Sequence, residues 1–164
     1  MHKILVSACL LGQAVRYDGG AHGPFAPLLQ WQQQGRVVAL CPEVAGGLPT
    51  PREPAEIVGG QGGQVLDGLI ALYALDGTDV SRAFVAGARQ AEQLVRAHGI
   101  QLAVLKARSP SCGNQQTYDG SFSGQLVAGE GVTAAALRRL GVRVFNEAQL
   151  PQAQALLAEL DGAG

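Results

Sequence analysis

Three cysteines in a chain of 164 residues, each at or shortly after the end of an apolar run, constrain the fold more than any other feature. Ile4-Leu5-Val6-Ser7-Ala8 leads to Cys9, Val37-Val38-Ala39-Leu40 leads to Cys41, and Leu102-Ala103-Val104-Leu105 lies a few residues before Cys112. Such short apolar runs read as buried strands of a parallel sheet. In parallel α/β sheets, ligands sit beyond the carboxyl ends of the strands, so residues just past several strands meet in one crevice. The three thiols are therefore expected on one edge of one sheet.

At 47% apolar residues the chain is long enough for a single domain, residues 1–164, whose core needs no staples. Lys and Arg number 12 against 13 Asp and Glu, so there is no basic surplus for a phosphate backbone. A long nucleic-acid partner is not expected. Val6-Ser7-Ala8-Cys9 could pass for a lipoprotein cleavage site, yet only five residues separate Lys3 from Cys9, short of the roughly 7–15 of a signal core. No stretch is long and apolar enough to span a bilayer. The expected location is the cytoplasm, where thiols stay reduced and a cysteine set serves catalysis or metal binding.

Along the chain, Pro24 suits a first helical turn, Phe25, Leu28 and Leu29 recur at helical spacing, and Gly35 supplies a left-handed stop. A strand at 36–41 follows. From Pro42 to Gly63, prolines and paired glycines predict an irregular loop without regular helix or central strand. Two apolar runs around Asp67-Gly68 predict a β-hairpin over 64–75. Asp79 to His98 is the clearest helix, with a Thr or Asp cap, Phe84, Ala88, Ala91, Leu94 and Val95 inward, and Gly99 after it. A strand at 101–106 precedes a long loop over 107–131, then a helix at 133–140, a strand at 142–145 and a terminal helix at 151–160. The fold class is α/β: a mainly parallel, Rossmann-like sheet with flanking helices and an added hairpin.

Three inert buried thiols, a thiol nucleophile and a shared metal or cluster site all fit three isolated cysteines. Their position after strands, among Gly, Pro and small polar residues, favours the shared site. No pair forms CxxC. Structural zinc prefers four closely spaced ligands, and none of His2, His22 or His98 is placed to be the fourth. A cubane iron–sulfur cluster on three thiolates leaves one iron without a protein ligand, a Lewis acid with affinity for sulfur. Glu43, two residues past Cys41 and pinned by Pro42, is a candidate general base. Ser109 and Ser111, flanking Pro110 just before Cys112, are candidates for proton donation and substrate orientation. Arg52, Lys106 and Arg108 read as surface charges, and no GxGxxG marks a nicotinamide site.

Cys9-Leu10-Leu11-Gly12, Arg16-Tyr17-Asp18-Gly19, Cys41-Pro42-Glu43 with Gly46-Gly47, Pro51-Arg52, Pro54-Ala55-Glu56, Asp76-Gly77-Thr78-Asp79-Val80 and Lys106 through Gly113 occur in order. Together they resemble the thiouracil desulfidase family, from about Met1 to Phe145, with residues 146–164 as a helical tail. The resemblance implies a small α/β domain with a [4Fe-4S] cluster on Cys9, Cys41 and Cys112. It implies conversion of 2-thiouracil to uracil and sulfide without net redox change, the fourth iron taking the sulfur, and it maps the acidic and serine residues to Glu43 and Ser109. Ser111 is expected to contact substrate. Two other readings stay open at this stage: desulfuration of thiolated RNA, and a non-catalytic cluster-sensing module.

Overall fold

The computed structural model describes residues 1–163. In chain order, β1 (Ile4–Ser7) is followed by α1 (Ala26–Gln33), β2 (Val37–Leu40) and α2 (Pro42–Ala45). Next come β3 (Ala55–Ile57), α3 (Gly62–Leu66), β4 (Leu72–Ala74), the long helix α4 (Ser81–His98) and β5 (Leu102–Leu105). β6 (Gln116–Tyr118) and β7 (Leu126–Ala128) precede α5 (Val132–Arg139), β8 (Arg143–Asn146) and α6 (Leu150–Ala163).

The long-range frame is a parallel sheet in the order β2-β1-β5-β8. Both central strands, β1 and β5, are buried at every residue, because helices cover both faces and no polar face is needed. Ile4, Val6, Leu102 and Val104 pack on one face against Leu28 and Trp31 of α1 and Leu150, Ala153 and Leu157 of α6. Leu5, Ala103 and Leu105 on the other face meet Ala91 and Val95 of α4 and Leu137 of α5. Each buried Leu, Ile or Val among them gains about 1.5–3 kcal/mol from burial. A third cluster, with Ile57, Val65, Leu72, Phe84 and Val132, joins the small strands and α3 to α4 and α5. The α/β class with a parallel sheet and flanking helices stands.

Four local expectations need correction. The loop over 42–63 contains α2 and β3, and Pro42 at the first position of α2 is where a missing amide costs no helical hydrogen bond. Asp67-Gly68 is not a hairpin turn. It ends α3, which opens with a capping box between Gln61 and Gln64, and the positive φ of Gly68 serves a helix stop as well as a hairpin. The antiparallel partner of β4 is β3, on the far side of α3, so the added two-stranded ribbon is strand–helix–strand. The long loop after β5 holds a second ribbon, β6 with β7; the last two residues of β7, Val127 and Ala128, are exposed, which leaves little apolar pattern to read. At α4 the capping position is Val80, and Asp79 accepts the Ser81 amide at 2.9 Å one residue earlier. Gly99 closes α4 at φ 62° as expected.

The helix after β8 is no loose tail, since Leu150, Ala153 and Leu157 are core residues. Its far end is tied down by Asp161. One carboxylate oxygen accepts the His2 amide at 3.1 Å and faces His2 Nδ1 at 3.0 Å, while the other faces Arg36 Nη2 at 2.7 Å. The His2 amide first, then the His2 ring and Arg36, hold this carboxyl well below the usual range. A carboxyl depressed on folding contributes stability that is complete above its unfolded pKa, near 3.8, and is lost as pH falls below it. Asp161→Asn should therefore lower Tm at neutral pH, with the gap to the parent closing in acid. A gap that is unchanged in acid would remove Asp161 from the account.

Candidate functional site

A cavity of about 530 Å³ opens at the carboxyl ends of β1, β2 and β5, lined by Cys9, Cys41 and Cys112 together with Glu43 and Ser109. Three local devices deliver the cysteines. Cys9 sits in a single 3-10 turn, Ala8–Leu11, which Gly12 closes at φ 86°. Cys41 is the last residue before α2. Cys112 lies in a turn closed by the Gly113 amide on the Ser109 carbonyl at 2.9 Å.

That turn is clamped from both sides. The Ser109 hydroxyl oxygen accepts the amides of Ser111 and Cys112, both at 3.1 Å. The carbonyls of Pro110 and Ser111 accept the amides of Val132 and Thr133 at 2.9 and 2.8 Å, so the cysteine loop caps the N-terminus of α5. Gly131 leaves no space for a side chain there: a Cβ would stand 2.5 Å from the Ser111 carbonyl oxygen.

Cys9 and Cys112 are buried, Cys41 is partly buried, and all three are free thiols. Burial first, then the neighbouring Cys41, pushes Cys9 up to about 11. Burial pushes Cys112 up to about 12, against the Ser7 hydroxyl, which donates to its sulfur at 3.5 Å. Such thiols become thiolates only beside a strong cation, which is what a metal centre supplies. Among the described residues no three His, Cys, Asp or Glu side chains gather closely enough for a single metal ion. Three thiols lining one cavity with no histidine beside them are the donor type that iron–sulfur clusters use, whereas structural zinc takes four ligands. His2 is engaged with Asp161, and neither His22 nor His98 lines the cavity.

Glu43 faces Arg52, whose Nε lies 3.1 Å from Oε1. Burial raises the Glu43 carboxyl, opposed by Arg52 and then by the Ser109 side chain. The Arg52 guanidinium also donates to the carbonyls of Pro49 and Val15, both at 3.0 Å, and its amide to Tyr17 at 2.6 Å. Arg52 is thus no surface charge: its side chain is 6% exposed, and it joins the loop after Cys9 to the base candidate. Lys106 is likewise paired, 2.9 Å from Glu147, which also accepts the Ala107 amide at 2.8 Å. Burial pushes the Glu147 carboxyl up, but Lys106 and that amide outweigh it and leave it low.

Ser111 is placed away from the cavity. It is fully buried, its hydroxyl lies 2.8 Å from Thr133 Oγ1, and it does not line the cavity. The neighbouring turn puts Ser109 inward and Ser111 toward α5. Sequence reasoning missed Ser7, which accepts the Lys106 amide at 3.0 Å while donating to Cys112. A serine at the end of an apolar strand was the available signal. Glu56, Tyr118 and Phe122 were also missed as lining residues.

Fold and cavity together define an α/β protein that gathers three free thiols and a carboxylate at the carboxyl edge of a parallel sheet. The chain belongs to the 2-thiouracil desulfurase family, whose sequence model matches residues 4–149. It is similar to YbbK of Bacillus subtilis (strain 168), named only as an uncharacterised protein, with 41% identity over 147 residues, 90% of this chain and 97% of that one. It is also similar to the solved structure of a protein named [4Fe-4S]-dependent thiouracil desulfidase TudS. That likeness has a TM-score of 0.87 and 48% identity, and it covers 96% of this chain and 99% of the other.

The placement of Glu43 depends on a contact without side chains. Gly87 of α4 lies directly against the Pro42 carbonyl, and Gly46 at the end of α2 against the Ala83 carbonyl, so neither position has room for a Cβ. Gly87→Ala should push α2 off α4 at a cost of roughly 1–3 kcal/mol. For a chain of this size each kcal/mol lowers Tm by about 2–4 °C. Thermal unfolding of the variant checks this, and an unchanged Tm would show that α2 does not rest on this contact.

Proposed function

We propose that this chain removes sulfur from 2-thiouracil, giving uracil and sulfide, with a [4Fe-4S] cluster held by Cys9, Cys41 and Cys112. The observation that carries the reading is the convergence of three free thiols with Glu43 and Ser109 on one cavity. Its volume, about 530 Å³, lies in the range of small-molecule sites, which suits a single heterocycle. Membership of the family and the likeness to TudS support the same chemistry. The partner is a small thiolated heterocycle. No described helix is long and apolar enough to cross a membrane.

The cluster, when bound, supplies an iron with an open position, a Lewis acid that prefers sulfur donors. The residues of the chain do the rest. Arg52 holds the Glu43 carboxylate against the cavity, where it takes a proton from water as the oxygen approaches the thiocarbonyl carbon. Ser109 accepts two backbone amides through its oxygen, which leaves its one proton free to face Glu43 and pass to and from the reacting groups. The C=S bond breaks, a C=O bond forms, and both hydrogens of water leave with the sulfur. No electrons are gained or lost, so no reductant is consumed.

Anaerobic reconstitution should give about four iron and four sulfide per chain, as a cubane requires. Alanine at any one of Cys9, Cys41 or Cys112 should abolish stable assembly; a variant that keeps its iron and its broad visible absorption removes that cysteine from the ligand set.

Glu43→Gln should retain the cluster and lose roughly a hundredfold or more in turnover, since the amide keeps the shape but takes no proton. Sulfide release from 2-thiouracil without added reductant is the assay, and wild-type rates in the variant would exclude Glu43 as the base.

A further inference from the structure

Among the described residues, two that are not glycine have a left-handed backbone: Arg108 at φ 67° and Phe122 at φ 56°. Both line the cysteine cavity. A bulky residue at positive φ is an outlier that persists only where its surroundings enforce it, and such outliers gather at functional sites. Phe122 is half-buried and belongs to none of the three core clusters, so packing of the core is not what holds it.

What holds it is Glu56. Phe122 lies at the tip of the β6–β7 ribbon, in Gly120-Ser121-Phe122-Ser123-Gly124. Oε1 of Glu56, on β3, accepts the amides of Gly120 at 2.9 Å and of Phe122 at 3.2 Å. Gly120, at φ 93°, lies so close to the Ile57 carbonyl and Val58 that a Cβ would stand 2.7 Å from that oxygen. The tip is thus seated on β3 by the Glu56 carboxylate and by the close approach of Gly120 to the backbone at Ile57 and Val58, and an aromatic ring outside the core is kept at the wall of the cavity that holds the three thiols.

We propose that Phe122 forms the apolar wall on which the flat heteroaromatic ring of the substrate rests, and that Glu56 is its positioning residue. Stacking against an aromatic side chain recognises a ring by its face and is indifferent to the exocyclic atom. The inference rests on the desulfidase reading and extends it from capture of the sulfur to recognition of the ring.

The test compares reconstituted wild type with Phe122→Ala, Phe122→Tyr, Glu56→Ala, Glu56→Gln and the Phe122→Ala/Glu56→Ala pair. Sulfide release from 2-thiouracil gives KM and kcat, equilibrium dialysis of uracil reports on the ring without its sulfur, and iron content and Tm are recorded throughout. Phe122→Ala should raise KM and the uracil dissociation constant roughly ten- to hundredfold, the range that base–aromatic stacking spans, with kcat little changed. Phe122→Tyr should stay near wild type. Glu56→Ala should move KM in the same direction, Glu56→Gln should restore it because its amide oxygen still accepts both N–H groups, and the double variant should be no worse than Phe122→Ala. Unchanged uracil binding in Phe122→Ala overturns the proposal, as does loss of iron and Tm in that variant, which would make Phe122 a structural residue. If wild type releases no sulfide, the desulfidase reading fails by itself, and uracil dialysis still decides the role of Phe122 in the same two ways.

Discussion

Parallel pairing of β1 with β2 on one side and β5 on the other is the constraint from which the site follows. Register matches Ile4 with Val37 and with Leu102, so the three strands run in step and end at one edge. Any residue within a turn of those ends faces the same space. That is enough to bring together thiols separated by dozens of residues, and it needs only that β1 and β5 be apolar on both faces. Helices then become obligatory on both sides, and α1, α4, α5 and α6 supply them.

Delivery to the edge is not yet a site, because loops at strand ends are free to move. Here each is anchored by backbone. The cysteine turn at Ser109–Gly113 borrows the unsatisfied amides of α5, and α2 lies on α4 through Gly46 and Gly87 with no side chain between. Close approach by glycine trades side-chain packing for positional accuracy, and it fixes the Glu43 carboxylate two residues from Cys41. Arg52 does the same electrostatically. A buried carboxylate costs free energy when unpaired, and a guanidinium shared among Glu43, Pro49 and Val15 both compensates that cost and binds three segments to one point.

The thiols make a complementary demand. Burial holds Cys9 and Cys112 in the neutral form, so the polypeptide can fold without concentrating negative charge at the sheet edge. Ser7, which accepts the Lys106 amide, donates to the buried Cys112 sulfur and fixes its place at the edge.

The sequence by itself determined the sheet, its direction and the three cysteines at its edge, because uninterrupted apolar runs and a 3.6-residue repeat leave few alternatives. That Glu43 and Ser109 line the cavity was legible for a local reason, their short covalent distance from a cysteine at the sheet edge. Only tertiary structure decided the rest. Asp67-Gly68 stops a helix instead of turning a hairpin, since one positive-φ glycine serves either purpose and the choice lies with Leu72 pairing back to Ile57. Ser111 turns away from the cavity because the first turn of α5 offers Thr133, a partner 22 residues along the chain. Arg52, Glu56 and Phe122 gained their places from contacts across the fold, and charge or aromaticity in a glycine-rich loop carries no mark of the partner that will claim it.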